Sequence, residues 1–467
     1  MLSRRAMLGA TALGGAGLAG ACGPPPSGPW IPPPPPEGPF VAGVASGDPR
    51  PTGATIWTRA LPSDTGGDVE LTWEVAADEG FSDLAAAGTA TASPAGDHAV
   101  TVGVADLDPG RDWYYRFRTG SATSPVGRTR TAPAPGAPTA GLRLAFVSCQ
   151  MFSEGYFTAY RHLLDEDVDL LLHLGDYIYE YGTDSEEYGY HRLRTDPVDH
   201  PVDLEGYRSK YRLYRTDPDL RAAHQQIPMV AIWDDHEVYD DYDRFVDPAR
   251  RAAAYRAWFE HMPHLPDPTD PTRLYRSLRW GDLADLVLLD LAQYRDPEAP
   301  APSYPPIRRG DRTRGGPQPA RSAPAPVARG DADVLGGQLE GARQPQMLQP
   351  LRLVDLDNEL TRFLDPDLPR NAGVYLNGTQ WDGYQAERRA VLSALVDRGI
   401  TDNVVLTGDI HSWWAGGVPL DIDDPDTPTV AAEFVGGSVT SPSFEQMLGA
   451  RFPNSTPWSA RRWICRS

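Results

Sequence analysis

Four short polar motifs in this sequence carry side chains that can bind metal ions and move protons. They are Ser148-Cys149-Gln150, Gly175-Asp176-Tyr177-Ile178-Tyr179, Trp233-Asp234-Asp235-His236-Glu237 and Gly408-Asp409-Ile410-His411, and each directly follows an apolar run. Polar residues placed directly after a buried strand cost folding free energy, which is typical of a functional site. Metal hydrolases commonly hold two ions about 3.5–4 Å apart around a shared carboxylate. The residue types and their positions therefore predict a two-metal hydrolase.

Asp176 is the candidate for that shared, bridging carboxylate. Tyr179 follows in the same motif, so a turn after Asp176 would let both side chains reach one ion. Asp235 would serve the second ion, and Asp409 and His411 would close the site. The four motifs thus supply enough ligands for two neighbouring ions.

Cys149 would supply a thiolate to the ion that Tyr179 binds as a phenolate. This pair is unusual for Zn²⁺ or Mg²⁺ and favours a hard, strongly charged ion such as Fe³⁺, which would also lower the pKa of both groups. Two alternatives stay open for Cys149, namely a buried apolar thiol and a disulfide with Cys465.

Asp235 and His236 are the candidate catalytic residues. The His236 imidazole would protonate the leaving alkoxide or stabilise charge on the phosphoryl oxygens. Glu237 would hold the far ring nitrogen and set the tautomer. A metal-activated hydroxide would attack phosphorus in line with the leaving group. By contrast, His173 lies inside an apolar run and is predicted to be a core histidine whose nitrogens are hydrogen-bonded.

The apolar runs before the motifs predict the strands that position them. These runs are rich in Val, Ile and Leu and cover residues 142–147, 168–174, 228–232 and 404–407. Such runs suit fully buried strands, and an open α/β sheet binds ligands beyond the carboxyl ends of its strands. Helical periodicity is found over residues 155–165, 252–262 and 387–398. Residues 140–467 are therefore predicted to form an α/β catalytic domain of packed layers.

Residues 40–134 read as an all-β domain. β-forming residues recur over 55–59, 69–75, 99–102 and 113–118, with turn residues between them. This spacing is typical of a sandwich, and we interpret the domain as fibronectin-III-like. Further along, residues 299–350 are rich in Pro, Ala, Gly and Arg. They are predicted to be a disordered insertion, with a lid over the substrate phosphate as the alternative.

The N-terminus predicts export by the Tat machinery. Ser3-Arg4-Arg5 precedes a weakly apolar run, so residues 1–22 read as a Tat signal and the Pro-rich residues 23–39 as a spacer. Ala19-Gly20-Ala21-Cys22 resembles a lipobox with Ala19 in place of Leu, which leaves lipidation of Cys22 open. The expected location is the periplasm, the cell envelope or the extracellular space, with membrane contact only through that lipid.

Length and charge restrict the function classes further. A chain of 467 residues can form two or three domains with a sizeable core. Its net charge of −21 disfavours binding to the phosphate backbone of nucleic acids. A small phosphate ester is not disfavoured, because bound cations would dominate the field at the site. We expect a monomer.

The motifs resemble those of the alkaline phosphatase D family, a branch of the calcineurin-like metallophosphatases. The matching stretches are residues 44–49, 57–59, 146–150, 173–182, 207–208, 233–237, 381–384, 406–411 and 433–441. The resemblance covers residues 1–298 and 374–443, and it implies a Tat-exported phosphodiesterase and phosphomonoesterase with a layered metallophosphatase sandwich.

The resemblance also implies the metals. Fe³⁺ would be bound by the equivalents of Cys149, Asp176, Tyr179 and His411, with Ca²⁺ alongside. The Ca²⁺-side ligands would be Asp235, Asp240 and Asp409, since carboxylate oxygens suit Ca²⁺.

The sequence departs from the family pattern in several places. Asp240 and Asp241 stand where the family usually has Asn, Leu291 and Ala292 replace Thr-Arg, and the C-terminus looks short beside the family. These departures leave an alternative open, in which the chain is a non-catalytic binding protein of the cell envelope derived from a decayed phosphatase.

Overall fold

The fold is taken from a computed structural model, in which the described residues are 38–63, 66–185, 190–297, 339–344, 346–349, 352–355, 359–364, 373–375, 380–422, 424, 426–443 and 446. The predicted signal, residues 23–37 of the spacer, residues 299–338 of the insertion and the segment after 446 lie outside these ranges. Within the described ranges, every helix is too short or too polar to cross a bilayer.

The described elements include nineteen strands and six α-helices. The strands are β1 Val44–Arg50, β2 Gly53–Arg59, β3 Val69–Ala76, β4 Leu84–Ala92, β5 Ala99–Val104, β6 Asp112–Thr119, β7 Ala122–Thr123, β8 Gly127–Arg130, β9 Leu144–Val147, β10 Leu170–Leu174, β11 Met229–Ile232, β12 Arg276–Trp280, β13 Ala284–Leu288, β14 Leu339–Gln344, β15 Arg352–Asp355, β16 Gly373–Tyr375, β17 Asn403–Thr407, β18 Trp414–Pro419 and β19 Thr429–Val435. The helices are α1 Thr158–Leu163, α2 Leu204–Tyr214, α3 Pro218–Gln226, α4 Pro248–His261, α5 Glu359–Leu364 and α6 Gln385–Asp397.

Strands β1 to β8 form two antiparallel sheets. One has the order β1-β2-β5, and the other has the order β4-β3-β6-β7 with β8 also paired to β6. Burial alternates along β6, so Trp113, Tyr115 and Phe117 lie on one face of the strand. They belong to an apolar cluster that also contains Ile56 and Val75. All four stretches predicted as strands here are strands. The fibronectin-III-like topology and the limits of this domain stay predictions.

Two further sheets carry the four polar motifs. Strands β9, β10 and β11 are parallel, in the order β11-β10-β9, and a mixed sheet has the order β12-β13-β14-β17-β19-β18. Leu172, Ile232, Leu286 and Leu406 belong to one apolar cluster that draws on both sheets. Helix α6 packs through Leu392 in a separate cluster with side chains of β17 to β19. This is the α/β layering that the sequence predicted.

The motif-bearing strands differ from the expectation in two respects. They do not share one open sheet, since β17 lies in the mixed sheet and the other three lie in the parallel sheet. In addition, β9 is partly exposed along its length and not fully buried. The reason is its position at the edge of the parallel sheet, where it has a single neighbouring strand.

The helices occupy the predicted stretches with different ends. The stretch predicted from 252 begins earlier, because the Asp247 carboxylate caps Arg250 N and Pro248 occupies the first turn. The stretch predicted over 155–165 shortens to α1, and a 3₁₀ turn over Phe152–Glu154 precedes it.

The predicted disordered insertion is wrong at its C-terminal end. Residues 339–344 form β14, which pairs in parallel with β13 and β17 inside the mixed sheet. The run Leu-Glu-Gly-Ala-Arg-Gln has no β-branched or aromatic residue, so its own composition gives no strand signal. Glu433 then fixes the next residues by accepting Leu348 N and Gln349 N at 2.8 Å each.

Contacts from β1, from β2 and from the loop between β4 and β5 join the first two sheets to the rest of the fold. Trp57 Nε1 donates to Glu260 O at 2.8 Å. Asp97 pairs with His261 Nε2 at 3.1 Å, and Asp48 pairs with the Arg276 guanidinium at 2.7 Å. These buried polar contacts couple the β-rich part to helix α4 and strand β12.

His173 is buried as predicted, but the expected hydrogen bonds to its nitrogens are wrong. Its side chain is fully buried in β10, and neither ring nitrogen has a hydrogen-bond partner among the described residues. The Tyr177 ring packs against the His173 ring, with ring centroids 5.0 Å apart. Burial therefore lowers the pKa of His173 from 6.5 to about 3.

We expect His173→Leu to reduce the acid sensitivity of the fold. Between pH 6.5 and 3 the unfolded chain binds a proton at His173 that the folded chain does not, so stability falls as the pH falls. The slope is about 1.4 kcal/mol per pH unit for one such proton. The free energy of unfolding, measured in urea at several pH values from 6.5 to 4, should lose that slope in His173→Leu. The exposed His162→Leu is the control, and equal slopes in all three proteins would contradict the assignment.

Candidate metal centre

Backbone hydrogen bonds connect the loop after β9 to the loop after β10. Cys149 N donates to Gly175 O at 3.3 Å, and Gln150 N donates to Asp176 O at 3.1 Å. The Gln150 side chain adds a bond from Nε2 to Tyr177 O at 2.9 Å. The first two sequence motifs therefore form one bonded unit at the carboxyl edge of the parallel sheet.

Four of the predicted metal ligands have a left-handed backbone. The φ angles are 59° at Cys149, 55° at Asp176, 66° at Asp409 and 52° at His411. Residues other than glycine adopt this region rarely, at a cost of about 1–3 kcal/mol each, and such residues cluster at functional sites. The strain aims these four side chains away from the ends of their strands and into a common space.

Two glycines allow the motif loops to approach one another. Gly175 has a φ of 102°, and a Cβ at this position would lie 2.5 Å from the Cβ of Asp234. A Cβ on Gly408 would lie 2.5 Å from Ser148 Oγ. Only glycine fits at these positions, so the Gly-Asp pairs are a steric requirement of the close packing.

The predicted ligands converge in four overlapping groups. One ligand atom from each member of a group lies within 4.8 Å of the others, and the groups are Cys149/Asp176/His411, Asp176/Asp235/His236, Asp176/Asp234/Asp235/Asp409 and Asp235/Asp240/Asp241. Asp176 belongs to three of the four, which is the position a bridging carboxylate needs. The structure thus groups Cys149, Asp235, Asp409 and His411 around Asp176, whereas Asp240 is connected to them only through Asp235.

Tyr179 completes the first group. Its hydroxyl donates to Asp176 Oδ2 at 3.0 Å and lies 3.1 Å from His411 Nε2. His411 Nδ1 lies 2.8 Å from Pro442 O, so it carries the proton and leaves Nε2 as the electron-pair donor. Cys149 is buried and forms no disulfide within the described residues, and its thiol lies 3.1 Å from Ser148 Oγ. Cys465, the alternative disulfide partner, lies outside the described residues.

The carboxylates of the cluster repel one another. Desolvation and the neighbouring carboxylates of Asp235 and Asp409 raise the pKa of Asp234 well above its usual value. Desolvation and Asp235 raise the pKa of Asp409 to about 8. Desolvation also raises the pKa of Asp176, against the attraction of His236. Ionising all of these carboxyls together is therefore unfavourable unless further positive charge is bound beside them.

The donor set fits bound cations. Asp176 Oδ1 and Asp234 Oδ1 are buried and have no hydrogen-bond partner among the described residues. A carboxylate oxygen buried without a partner is costly, so such an atom indicates an absent ligand. Imidazole, phenol and thiol lie on the Cys149 side, whereas the ligand group that contains Asp240 consists of three carboxylates, Asp235, Asp240 and Asp241. Two ions of different chemistry fit this asymmetry.

His236 is oriented by Glu180, so the predicted pairing with Glu237 is wrong. His236 Nδ1 lies 2.7 Å from Glu180 Oε2, and the His236 ring stacks on Tyr179 with centroids 4.1 Å apart. His236 Nε2 is thereby directed towards the cluster, 3.8 Å from Asp240 Oδ1. Desolvation alone would lower the pKa of His236, but Glu180 and the nearby aspartates outweigh it and raise that pKa.

Glu237 instead holds the backbone of two motif loops. Its carboxylate accepts Tyr177 N at 2.6 Å, Asp234 N at 2.9 Å and Asp176 N at 3.1 Å. The Glu237 carboxylate is thus engaged by three backbone donors, and the His236 imidazole pairs with Glu180 instead. The adjacent position in sequence was misleading because the two side chains leave the turn in different directions.

Sequence reasoning missed several residues of the site. Asp234 was quoted in its motif without a role, although its position at the strand end is the same signal that marked Asp235. Glu180 lay within the family-matching stretch 173–182, but nothing in the sequence pairs it with His236. Gln380, whose amide donates to Asp409 Oδ2, and Arg295 had no motif to mark them.

Two polar side chains of helix α2 hydrogen-bond to the loops that carry the site residues. The Tyr214 hydroxyl accepts Phe152 N at 3.1 Å and Tyr179 N at 3.0 Å. Lys210, the one lysine of the chain, donates from Nζ to Tyr181 O and to Asp196 Oδ2 at 2.8 Å each. Both side chains are buried, so the loop that carries Tyr179 and Glu180 is held from the helix side.

We expect Tyr214→Phe to destabilise the fold and loosen the Tyr179 loop. The substitution leaves two buried backbone N–H groups unpaired, which should lower the free energy of unfolding by about 2–4 kcal/mol. Tyr211→Phe is the matched control on the same helix, because the buried Tyr211 hydroxyl has no hydrogen-bond partner among the described residues. Chemical denaturation of the two variants tests this, and equal losses would refute the role of Tyr214.

Comparison with known proteins places this geometry in a family. The family model described as PhoD-like phosphatase matches residues 144–461, and the one described as PhoD-like phosphatase, N-terminal domain, matches residues 28–133. The curated protein alkaline phosphatase D of Bacillus subtilis (strain 168) is 36% identical over 421 residues, which is 86% of this chain and 70% of that protein.

Solved structures agree at the level of the fold. A structure titled "Structure of PhoD" matches with a TM-score of 0.75 and 36% identity over 86% of this chain and 78% of that one. The purple acid phosphatase PPD1 of yellow lupin (Lupinus luteus) matches with a TM-score of 0.53 and 9% identity, over 86% of this chain and 65% of that one. The second likeness bears on the fold alone.

Proposed function

The chain belongs to the PhoD-like phosphatase family, and from that premise we propose that it is an exported, metal-dependent phosphodiesterase and phosphomonoesterase. Family membership makes it a phosphoric ester hydrolase with a metallophosphatase fold. The observation that carries the finer proposal is the cluster around Asp176, where ligand atoms of Cys149, Asp176 and His411 lie within 4.8 Å of one another. The Tyr179 hydroxyl adjoins this group, 3.0 Å from Asp176 Oδ2 and 3.1 Å from His411 Nε2.

The proposed ions are Fe³⁺ and Ca²⁺. Cys149, Asp176, Tyr179 and His411 would hold Fe³⁺, because a charged thiolate and phenolate suit a trivalent ion. Carboxylates without nitrogen or sulfur suit Ca²⁺, and Asp235, Asp240 and Asp409 would be its ligands. When bound, such ions polarise the phosphoryl oxygen and acidify the attacking water.

The chain's own residues would position the substrate and move one proton. His236 Nε2 is the ring nitrogen left free by Glu180 and would donate its proton to the leaving alkoxide. The stacked Tyr179 ring fixes the plane of that imidazole, so the direction of Nε2 is set before substrate binds. Asp235 accepts His236 N at 3.0 Å and thereby ties the proton donor to the metal ligands.

The non-catalytic alternative makes an opposite prediction. A decayed binding protein would fold and turn over no phosphate ester. The intact ligand set argues against it, because ligands at strained φ values are costly to retain without a metal to bind.

We expect Asp176→Ala and His236→Ala to separate metal binding from catalysis. Asp176→Ala should lose bound metal and activity together, since Asp176 belongs to three ligand groups. His236→Ala should keep its metal but hydrolyse a chromogenic phosphodiester about 100-fold more slowly or worse. Elemental analysis, the visible spectrum and steady-state rates of each protein are the measurements. A wild-type protein with iron, calcium and a visible charge-transfer band supports the proposed ions.

The outcomes of this experiment are distinct. Full activity in both variants would reject the proposed site. A folded wild-type protein with no metal and no turnover would favour the binding-protein alternative. Asp267→Asn, in an exposed turn paired with Arg273, serves as the control and should change neither the metal content nor the rate.

Export by the Tat machinery is proposed from the sequence. Replacing Arg4 and Arg5 together by Lys should retain the protein inside the cell, because the receptor reads the arginine pair. Fractionation of a Tat-competent host by immunoblot measures this, with Ser3→Ala as the control. Cys22→Ala in the same assay distinguishes a lipid anchor from release. Normal export of the double lysine variant would exclude the Tat route.

A further inference from the structure

Arg295 lies beside the candidate metal centre with a fixed orientation. Its Nε donates to Tyr242 O at 2.8 Å, and its side chain is 6% exposed. Its Nη2 lies 3.6 Å from Asp241 Oδ1 and 3.9 Å from Asp235 Oδ2. Among the described residues, no other arginine or lysine forms an ion pair with the clustered carboxylates.

The Nη2 group of Arg295 has no acceptor. It is buried without a hydrogen-bond partner among the described residues, and its two carboxylate contacts are too long to be hydrogen bonds. Asp235 is already committed, since Oδ1 accepts His236 N and Oδ2 accepts Asp241 N at 2.7 Å. A charged donor buried without an acceptor calls for one that arrives with a ligand.

The position of Nη2 identifies the chemistry of that acceptor. Asp235 lies in the ligand group that contains Asp176 and His236, so an anion held by the ions there also lies beside Arg295. A guanidinium is well suited to a phosphoryl group, whose oxygens are anionic and strong acceptors. We propose that Arg295 is a substrate-binding residue that donates from Nη2 to a non-bridging oxygen of the phosphoryl group. This inference rests on the proposed function.

Two features of the chain prepare Arg295 for this role. Arg295 N donates to Leu291 O at 3.0 Å and Arg295 O accepts Arg244 N at 3.2 Å, so its backbone is fixed on both sides. Arg244 is in turn held by Asp296 at 2.5 Å. The guanidinium is therefore preorganised and loses little freedom when the phosphate binds.

The competing role is a counter-charge for the carboxylates, without contact to substrate. In that case the ions would be affected first. If Arg295 were only a counter-charge, replacing it would change the metal content of the protein. The phosphate affinity of the fully metal-loaded protein would stay unchanged. A substrate-binding residue has the reverse signature.

Phosphate binding by the metal-loaded protein tests the inference. In isothermal titration with inorganic phosphate, Arg295→Gln should bind phosphate at least about tenfold more weakly than wild type. Its metal content should equal that of wild type. Arg295→Lys keeps the charge but loses the planar pair of donors, and it should bind with intermediate affinity. KM for a chromogenic phosphodiester should rise in both variants. Arg273→Gln, at a half-buried arginine paired with Asp267, is the matched control and should match wild type.

The other outcomes decide against the inference or against the proposed function. Wild-type phosphate affinity in Arg295→Gln would overturn it, and so would loss of metal in parallel with affinity in both variants. If Arg295→Gln does not fold, Arg295→Lys decides alone, and wild-type affinity in it overturns the inference. A wild type that binds phosphate through Arg295 but hydrolyses no ester would sink the proposed function only, whereas an active enzyme indifferent to Arg295→Gln would sink this inference only.

Discussion

The repulsion among buried carboxylates is the constraint around which this structure is organised. Asp176, Asp234, Asp235 and Asp409 approach within 4.8 Å of one another, and desolvation makes their charges costly. Hydrogen bonds within the protein leave oxygens of Asp176 and Asp234 unpaired in the described part of the chain. A protein that retains such an arrangement is built for an external positive charge, which accounts for its family's metal chemistry.

Holding the carboxylates together requires a rigid backbone, and much of the surrounding structure supplies it. Glu237 uses its carboxylate on three backbone donors of two loops, and the Tyr214 hydroxyl ties two more. Gly175 permits the closest approach between loops. The site residues are therefore set by the scaffold before any ligand arrives, which is the condition for electrostatic stabilisation of a transition state.

The strand-end motifs made the ligand set predictable, because a polar residue after a buried run is visible in the sequence. That signal located Cys149, Asp176, Asp235 and His411 and the sheets before them. It failed where the information is spatial: Glu180 and His236 are far apart in sequence, and Arg295 follows a run with no polar motif. It also failed for β14, whose Gly- and Ala-containing run becomes a strand only because β13 and β17 hold it on both sides. Tertiary pairing, not composition, decides such elements.

The buried ion pair of Lys210 has a chemical consequence of its own. Since Lys210 is the one lysine and is fully buried, the folded surface presents no lysine ε-amine to an acylating reagent. Acylation there requires the segment that carries Tyr181 and Asp196 to leave helix α2. The same segment includes the Glu180 carboxylate that orients His236. The rate at which this lysine ε-amine is acylated therefore measures how often the loop that carries Glu180 opens.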